Sequence, residues 1–318
     1  MKTTVLKPTK EKDVGFAARL RRDIAANKGL YALLLLPIIW YTIFCYGPMY
    51  GLLIAFQKYN IRLGVSGSEW AGLYNFKRFF LDPYFGRDLF NTIYISLSSI
   101  IFSFPLPIIL ALLINELRSR TFAKCVQTVT YIPHFISLVV ICGMVRNFVS
   151  ADGIITNIFT RITGKQIDES LLNFSQYFTT IFVGSGIWQG IGWGSIIYTA
   201  AISGVDAQLY EAARIDGAGR FRQMLSVTLP AIAPTIIIMF ILRMGDVLTV
   251  SYEKILLLIN SLNAERAEVL SYYVYKRGIA GSDYGISTAA GLFNSVVNLA
   301  FVLATNYISK RVSDINLW

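Results

Sequence analysis

Charge is scarce in this sequence. Only 15% of its 318 residues are Asp, Glu, Lys or Arg, against about 25% in a soluble domain. That shortfall argues against an ordinary cytosolic enzyme, and equally against disorder, which needs high charge and low hydrophobicity. Histidine is rarer still. His134 is the only one, so there is no HExxH motif and no cluster of metal ligands. A Ser-His-Asp site would have to be assembled around it inside an apolar stretch. The three cysteines, Cys45, Cys125 and Cys142, lie in or beside apolar runs, form no CxxC pair and offer no disulfide framework. No GxxxxGK followed by Ser or Thr occurs, and Gly164-Lys165 lacks the earlier glycine, so the chain has no P-loop. Neither a solenoid-type repeat nor a low-complexity segment is visible. These absences argue against catalysis within this polypeptide.

What is present is apolar. Hydrophobic residues make up 54% and aromatics 14%, and the mean hydropathy is +0.53. A helix needs about 20 mostly apolar residues to cross a bilayer. Six such stretches predict an all-α, polytopic membrane protein with spans near 30–56, 90–114, 126–148, 177–202, 230–250 and 288–308. The first is too long for a cleaved signal peptide and follows a 29-residue polar tail. Pro37 and Pro48 inside it are expected to kink or break its helix.

Lysine and arginine set the orientation. The tail, 1–29, holds Lys2, Lys7, Lys10, Lys12, Arg19, Arg21, Arg22 and Lys28. Arg118, Arg120 and Lys124 follow the second span; Arg214, Arg220 and Arg222 follow the fourth; Lys310 and Arg311 lie in the 309–318 tail. With six spans these all fall on one side, which is expected to be cytoplasmic, along with both termini. The net charge of +10 is therefore read as this bias and not as nucleic-acid binding. The opposite links, 57–89 among them, are longer and less densely basic.

Between the fourth and fifth spans the chain runs from Asp206 to Pro230. It reads as a short helix, a turn, a second short helix and a proline that opens the next span. Asp206 is the expected N-cap. Leu209, Ala212 and Ala213 line up at i, i+3, i+4; Asp216-Gly217 signals the turn; Phe221, Met224 and Leu225 make a second stripe. Pro230 suits a first helical turn. Such an element lies along the membrane surface and offers a knob, with two alanines that let a partner come close.

These residues resemble a known family. Glu211-Ala212-Ala213, three residues, Gly217, and Leu229-Pro230 a further dozen on is similar to the EAA signature of membrane subunits of binding-protein-dependent ABC importers. The fuller run Tyr210-Glu-Ala-Ala-Arg-Ile-Asp216-Gly217-Ala218 resembles the carbohydrate-uptake branch. Tyr131-Ile-Pro-His-Phe-Ile-Ser137, Trp188-Gln-Gly-Ile-Gly-Trp193 and Ile315-Asn-Leu-Trp318 resemble its polysaccharide and oligosaccharide permeases. The resemblance runs from the first span to the C-terminus, with no departure at Glu211, Ala212, Ala213, Gly217 or Pro230.

The resemblance implies a type I ABC importer permease fold, with the transmembrane domain over 90–308 and the EAA loop, 206–230, as cytoplasmic coupling helices. Glu211 would bear the polar contact to an ATPase subunit, Ala212 and Ala213 the close packing, and Gly217 the bend. It further implies a bacterial cell-membrane location, a second permease subunit of related but different sequence, and two ATPase subunits that bind ATP-Mg. An extracytoplasmic solute-binding protein and a carbohydrate substrate complete the set. This chain itself would hold no cofactor. The competing readings are an ion-gradient carrier, which would need internal repeats and mid-membrane acids where only Asp246 is available, and a membrane-embedded enzyme, which would need clustered titratable groups.

Polar residues in spans are costly, about 2.5–3.5 kcal/mol for a central charge on insertion scales, and mark candidate pathway positions. Arg243 and Asp246, at i, i+3, either pair to anchor their helix or face the path. Trp188, Gln189, Trp193 and Tyr198 suit a sugar's apolar face and hydroxyl rim, or fill the bundle. Gly186, Gly190 and Gly194 in the same span permit tight helix contact. Tyr131 and His134, and Asn294 with Asn298, either bond helix to helix or touch substrate. Arg146 reads as an interface anchor. The outer stretch from Trp70 to Phe80 either meets the binding protein or lies as an amphipathic segment among the headgroups.

Overall fold

The computed structural model describes residues 16–313. Lys2, Lys7, Lys10 and Lys12 and the terminal Ile315-Asn-Leu-Trp318 stretch lie outside the described residues. The chain divides into two compact units, Met1–Leu53 and Ile54–Trp318.

In the first unit a helix over Phe16–Ala26 gives way at Asn27 to a second over Lys28–Tyr41. Asn27 has φ −119° and ψ 39°, which is not helical. Asp23 ties this corner: its carboxylate accepts from Asn27 Nδ2 at 3.2 Å and from the Tyr31 hydroxyl at 3.3 Å. Pro37 sits inside the second helix without ending it. Pro48, which lacks a donor for the carbonyl four residues back, stands where the α-helix has already loosened into a π turn, Thr42–Tyr46, and then a 3-10 stretch, Gly47–Phe56.

In the second unit a 26-residue helix, Phe178–Ser203, runs through the core. At its N-terminal end Phe178 and Phe182 pack with Ile95, Ile141, Cys142, Leu172, Ile255 and Leu258. At its C-terminal end Tyr198 and Ile202 pack with Ile108, Ala111, Leu112 and Ile232. A third cluster gathers Phe79, Leu270, Tyr273, Ile286 and Ala290, with Phe85 and Phe293 against it. Lipid tails are as apolar as these side chains, so helices associate in a bilayer by close packing and not by the hydrophobic effect. Gly192 shows how close: a Cβ there would stand 2.1 Å from the Thr130 carbonyl oxygen.

Among the described residues four helices are long and apolar enough to span: Lys28–Phe56, Phe85–Asn115, Arg220–Met244 and Tyr284–Ser313. The expected third span is not straight. Arg120–Phe135 and Leu138–Phe148 meet at 102° and count as a fifth span if taken together. Pro133 sits in the 3-10 turn before the bend, and Ser137 caps the new helix by accepting from the Val140 amide at 3.4 Å. The expected fourth span, Phe178–Ser203, has the length but is less apolar than the others, because its glycines, serines, threonines and Gln189 dilute its aliphatic residues. The fifth starts ten residues earlier than hydropathy suggests, at Arg220, and is helical only to Met244. Its expected end is instead a turn over 245–248, held where the Leu248 amide donates to Asn298 Oδ1 at 2.9 Å.

Candidate functional site

The hairpin after the central helix is built as its sequence dictates. Asp206 Oδ1 accepts from the Gln208 amide at 2.9 Å and caps the helix Ala207–Ile215. Gly217 ends it at φ +74°, a conformation that penalises any Cβ. The Gly217 amide then reaches the Arg214 carbonyl at 3.0 Å and the Ala218 amide the Ala213 carbonyl at 2.9 Å, closing the turn. The chain re-enters helix at Arg220 and continues through a π turn, Met224–Thr228, into Leu229–Met244. The second short helix is therefore one piece with the span, where the sequence suggests a separate element ended by Pro230.

Two bonds tie this hairpin to the bundle and a third closes its turn. The Tyr210 hydroxyl lies 2.9 Å from that of Thr228, which is 1% exposed. Arg220 Nη1 donates to the Glu116 carbonyl at 3.4 Å, and Gln223 Nε2 to the Ala218 carbonyl at 2.6 Å. Met224 and Leu229 pack on the Tyr198–Ile232 cluster. Glu211, Ala212, Asp216 and Pro230 are exposed, and Ala213 and Ala218 half-buried. Ile215 and Phe221 project as well, 87% and 70% exposed. Two large apolar side chains thus stand free beside an exposed Glu-Ala pair. Sequence reasoning passed over Ile215, although a bulky aliphatic next to Asp-Gly was the available signal. Thr228 carried no signal, because only the fold brings it to Tyr210.

The pathway candidates separate into distinct places. His134 stacks on Trp193 at 4.4 Å with the rings 5° from parallel, and Phe135 meets Trp193 edge-on at 5.8 Å. Tyr131 is half-buried one helical turn before this stack. Tyr198, Arg243 and Asp246 line another cleft, of about 330 Å³, with Ser103 and Phe104. Among the described residues no ion pair joins Arg243 to Asp246, which lies in the turn past the helix end at Met244. Trp188 joins neither group; it meets Phe148 edge-on at 6.5 Å over an apolar cleft of about 440 Å³. Gln189 is half-buried nearby. Asn298 bonds the Leu248 amide and, at 3.0 Å, Thr249 Oγ1, so it ties the last helix to the chain after the fifth span. Asn294 Oδ1 is buried without a hydrogen-bond partner. Of the three glycines singled out, Gly190 meets nothing, while Gly186 faces Lys254 Nζ and Gly194 faces Pro107. The closest approach is at Gly192.

The opposite end is fastened by charge. Asp82, its side chain 4% exposed, accepts from Arg277 at 2.6 Å and from the Tyr273 hydroxyl at 2.8 Å. Burial pushes the Asp82 carboxyl up, but the Tyr84 amide, Tyr273 and Arg277 outweigh it and hold it below the ordinary carboxylate range. Burial, and then Asp82, raise the Tyr273 phenol. Arg78 pairs with Asp283 at 2.6 Å, and Arg87 joins Asp88 and Glu268, with Lys276 on the latter. The Trp70–Phe80 stretch is not a headgroup-lying segment throughout: Phe79 is fully buried, and Asn75 Nδ2 donates to the Ala55 and Gln57 carbonyls at 3.1 and 2.8 Å. Lys254, 5% exposed, donates to the Phe182 carbonyl at 2.7 Å with its ammonium 4.5 Å above that ring.

Comparison with known proteins gives consistent matches. Residues 103–314 match the profile of the family described as "Binding-protein-dependent transport system inner membrane component". The chain is 42% identical over 311 residues to protein LplB of Bacillus subtilis, covering 98% of this chain and 96% of LplB. It is 42% identical to the polygalacturonan/rhamnogalacturonan transport system permease protein YteP of the same organism, covering 93% and 92%. It is also similar to a chain in the crystal structure of a bacterial ABC transporter involved in the import of the acidic polysaccharide alginate. That match has a TM-score of 0.83 and 41% identity, over 93% of this chain and 99% of that one. A second crystal structure, of the bacterial alginate ABC transporter in complex with an alginate pentasaccharide-bound periplasmic protein, matches at TM-score 0.84 and 40% identity, over 94% and 100%.

Proposed function

From a chain that belongs to the family of inner membrane components of binding-protein-dependent transport systems, we propose a subunit that forms half the path of an ATP-driven importer of acidic oligosaccharides. It is a multi-pass membrane permease of ABC importer fold, and transport, not catalysis, is its work. The carbohydrate class rests on relatives named for polygalacturonan and rhamnogalacturonan and on structures titled for alginate. Arg243 lining a cleft with Tyr198 and Ser103 suits a carboxylated, hydroxyl-rich substrate, since guanidinium pairs well with carboxylate.

The observation that carries the coupling role is the hairpin. Its exposed Glu211, Ala212, Ile215 and Phe221 sit on a capped, glycine-turned element continuous with a membrane span. We read it as the cytoplasmic seat of an ATPase subunit: Glu211 supplies the polar contact, Ala212 and Ala213 let the partner approach, and Gly217 sets the bend. Tyr210, Asp216, Ala218, Leu229 and Pro230 shape the element and its junction. Two ATPase subunits carrying ATP-Mg, a second and different permease chain and an extracytoplasmic solute-binding protein complete the assembly. Both termini lie on the cytoplasmic side in this reading. Residues 90–308 form the transmembrane domain that pairs with the second permease.

The test is purification of the tagged chain from its native membrane, followed by reconstitution with the recovered partners. ATP-dependent uptake of a uronate oligosaccharide is expected. Uptake by this chain alone, without ATP, would replace the reading with an ion-gradient carrier.

A further inference from the structure

The helix Phe16–Ala26 stands one residue away from the start of the first span. Its sequence, FAARLRRDIAA, places positions 16, 20 and 24 along one line, with 17 beside them. Those positions are Phe, Leu, Ile and Ala; positions 19, 21 and 22, all arginine, occupy the remaining arc. Leu20 and Ile24 are 41% and 40% exposed. Neither Arg21 nor Arg22 has an ion-pair partner among the described residues. The nearest acid in the sequence, Asp23, has both carboxylate oxygens engaged at the corner, by Asn27 and Tyr31. The helix therefore shows an apolar line and unneutralised cations at the level where a membrane span begins.

We propose that Phe16–Ala26 is an interfacial helix that lies in the leaflet next to the first span and binds anionic phospholipid headgroups through Arg21 and Arg22. Charge selects this occupant. A soluble anion would use the arginines but leave Leu20 and Ile24 in water. An anionic leaflet takes both, accepting the apolar line among the acyl-chain ends and the guanidinium groups at the phosphates. The Asn27 corner breaks the helix before the span, and Asp23 ties that corner through Asn27 and Tyr31 and not through Arg21 or Arg22. Each basic residue near an anionic surface strengthens binding about fivefold. This inference goes beyond the transport reading and does not depend on it.

The test uses the full chain in nanodiscs, with Cys45, Cys125 and Cys142 replaced by serine. A single cysteine is placed at Ile24→Cys on the apolar line or at Ala25→Cys on the opposite arc. Labelling by a membrane-impermeant maleimide is compared in phosphatidylcholine and in equal parts phosphatidylcholine and phosphatidylglycerol. Phosphatidylglycerol is expected to slow labelling of Ile24→Cys on the order of tenfold or more and to leave Ala25→Cys unchanged. In an R21Q/R22Q background the protection is expected to disappear. Labelling of Ile24→Cys that ignores phosphatidylglycerol, whether fast throughout or protected throughout by a protein partner, would overturn the proposal. So would protection that survives the double substitution.

Discussion

The hydroxyl of Tyr210 lies 2.9 Å from the hydroxyl of Thr228. One residue is on the surface helix of the hairpin and the other at the start of the membrane span, so this bond joins the element that would meet a motor to the element it would move. Tyr210→Phe keeps the ring and removes the bond, leaving a buried hydroxyl short of a partner, which costs about 1–3 kcal/mol. The variant is expected to insert normally and to recover the ATPase subunit on purification, with uptake lowered several-fold. Full uptake by Tyr210→Phe would show the bond to be incidental.

Gly217 separates backbone cost from crowding. A Cβ there would meet nothing within 4 Å, yet φ is +74°. Gly217→Asn is expected to transport nearly as well as glycine, since asparagine tolerates the left-handed region. Gly217→Val should fail, with strain on the order of 1–3 kcal/mol or more. Both should reach the membrane in equal amount by immunoblot. Equal uptake by the two would mean the turn's conformation does not matter.

Gly192 and Gly190 test the packing of the central helix. A methyl at Gly192 would sit 2.1 Å from the Thr130 carbonyl oxygen, whereas one at Gly190 would meet nothing within 4 Å. Gly192→Ala is expected to lose most of its folded protein, read as a detergent-stable monodisperse peak. Gly190→Ala should be indistinguishable from the parent. Two identical elution profiles would contradict the close approach.

Asp82 gives a dependence on pH. Its carboxyl titrates below its ordinary value in the folded chain, so the stabilisation is complete above the unfolded value, about 4, and is lost as pH falls through the folded one. Asp82→Asn is expected to cost about 1–2 kcal/mol at neutral pH, given that Arg277 is partly exposed. The gap in melting temperature between variant and parent should close in acid. A gap that stayed constant from neutral to acid pH would exclude the charge as its origin.

The spans and the hairpin were legible in the sequence for a physical reason: each rests on local rules. Hydropathy over about 20 residues locates helices in lipid, and Asp206, Gly217 and Pro230 act on their own backbone. The bend between Phe135 and Leu138 was written less clearly, because Pro133 and Ser137 are also tolerated in a continuous membrane helix. The pathway residues were not legible as a set. Trp188 and Trp193 share a helix but are five positions apart: one lines an apolar cleft beside Phe148, the other stacks on His134. Asn298 proved to hold the chain after the fifth span, a partnership set by tertiary packing. The ring of Asp82, Arg277, Arg78 and Asp283 links segments some two hundred positions apart, and no local pattern announces it.

From Arg220 to Met244 the backbone never leaves helical geometry, although a π turn widens it at Met224–Thr228. At 1.5 Å per residue that is a rod about 37 Å long. Phe221 stands near one end and Arg243 near the other, and the chain between them, although it carries Pro230 and Pro234, has no break in its helix. Torque applied at the aromatic tip would therefore reach the guanidinium through one continuous shaft, in step with the stroke that caused it.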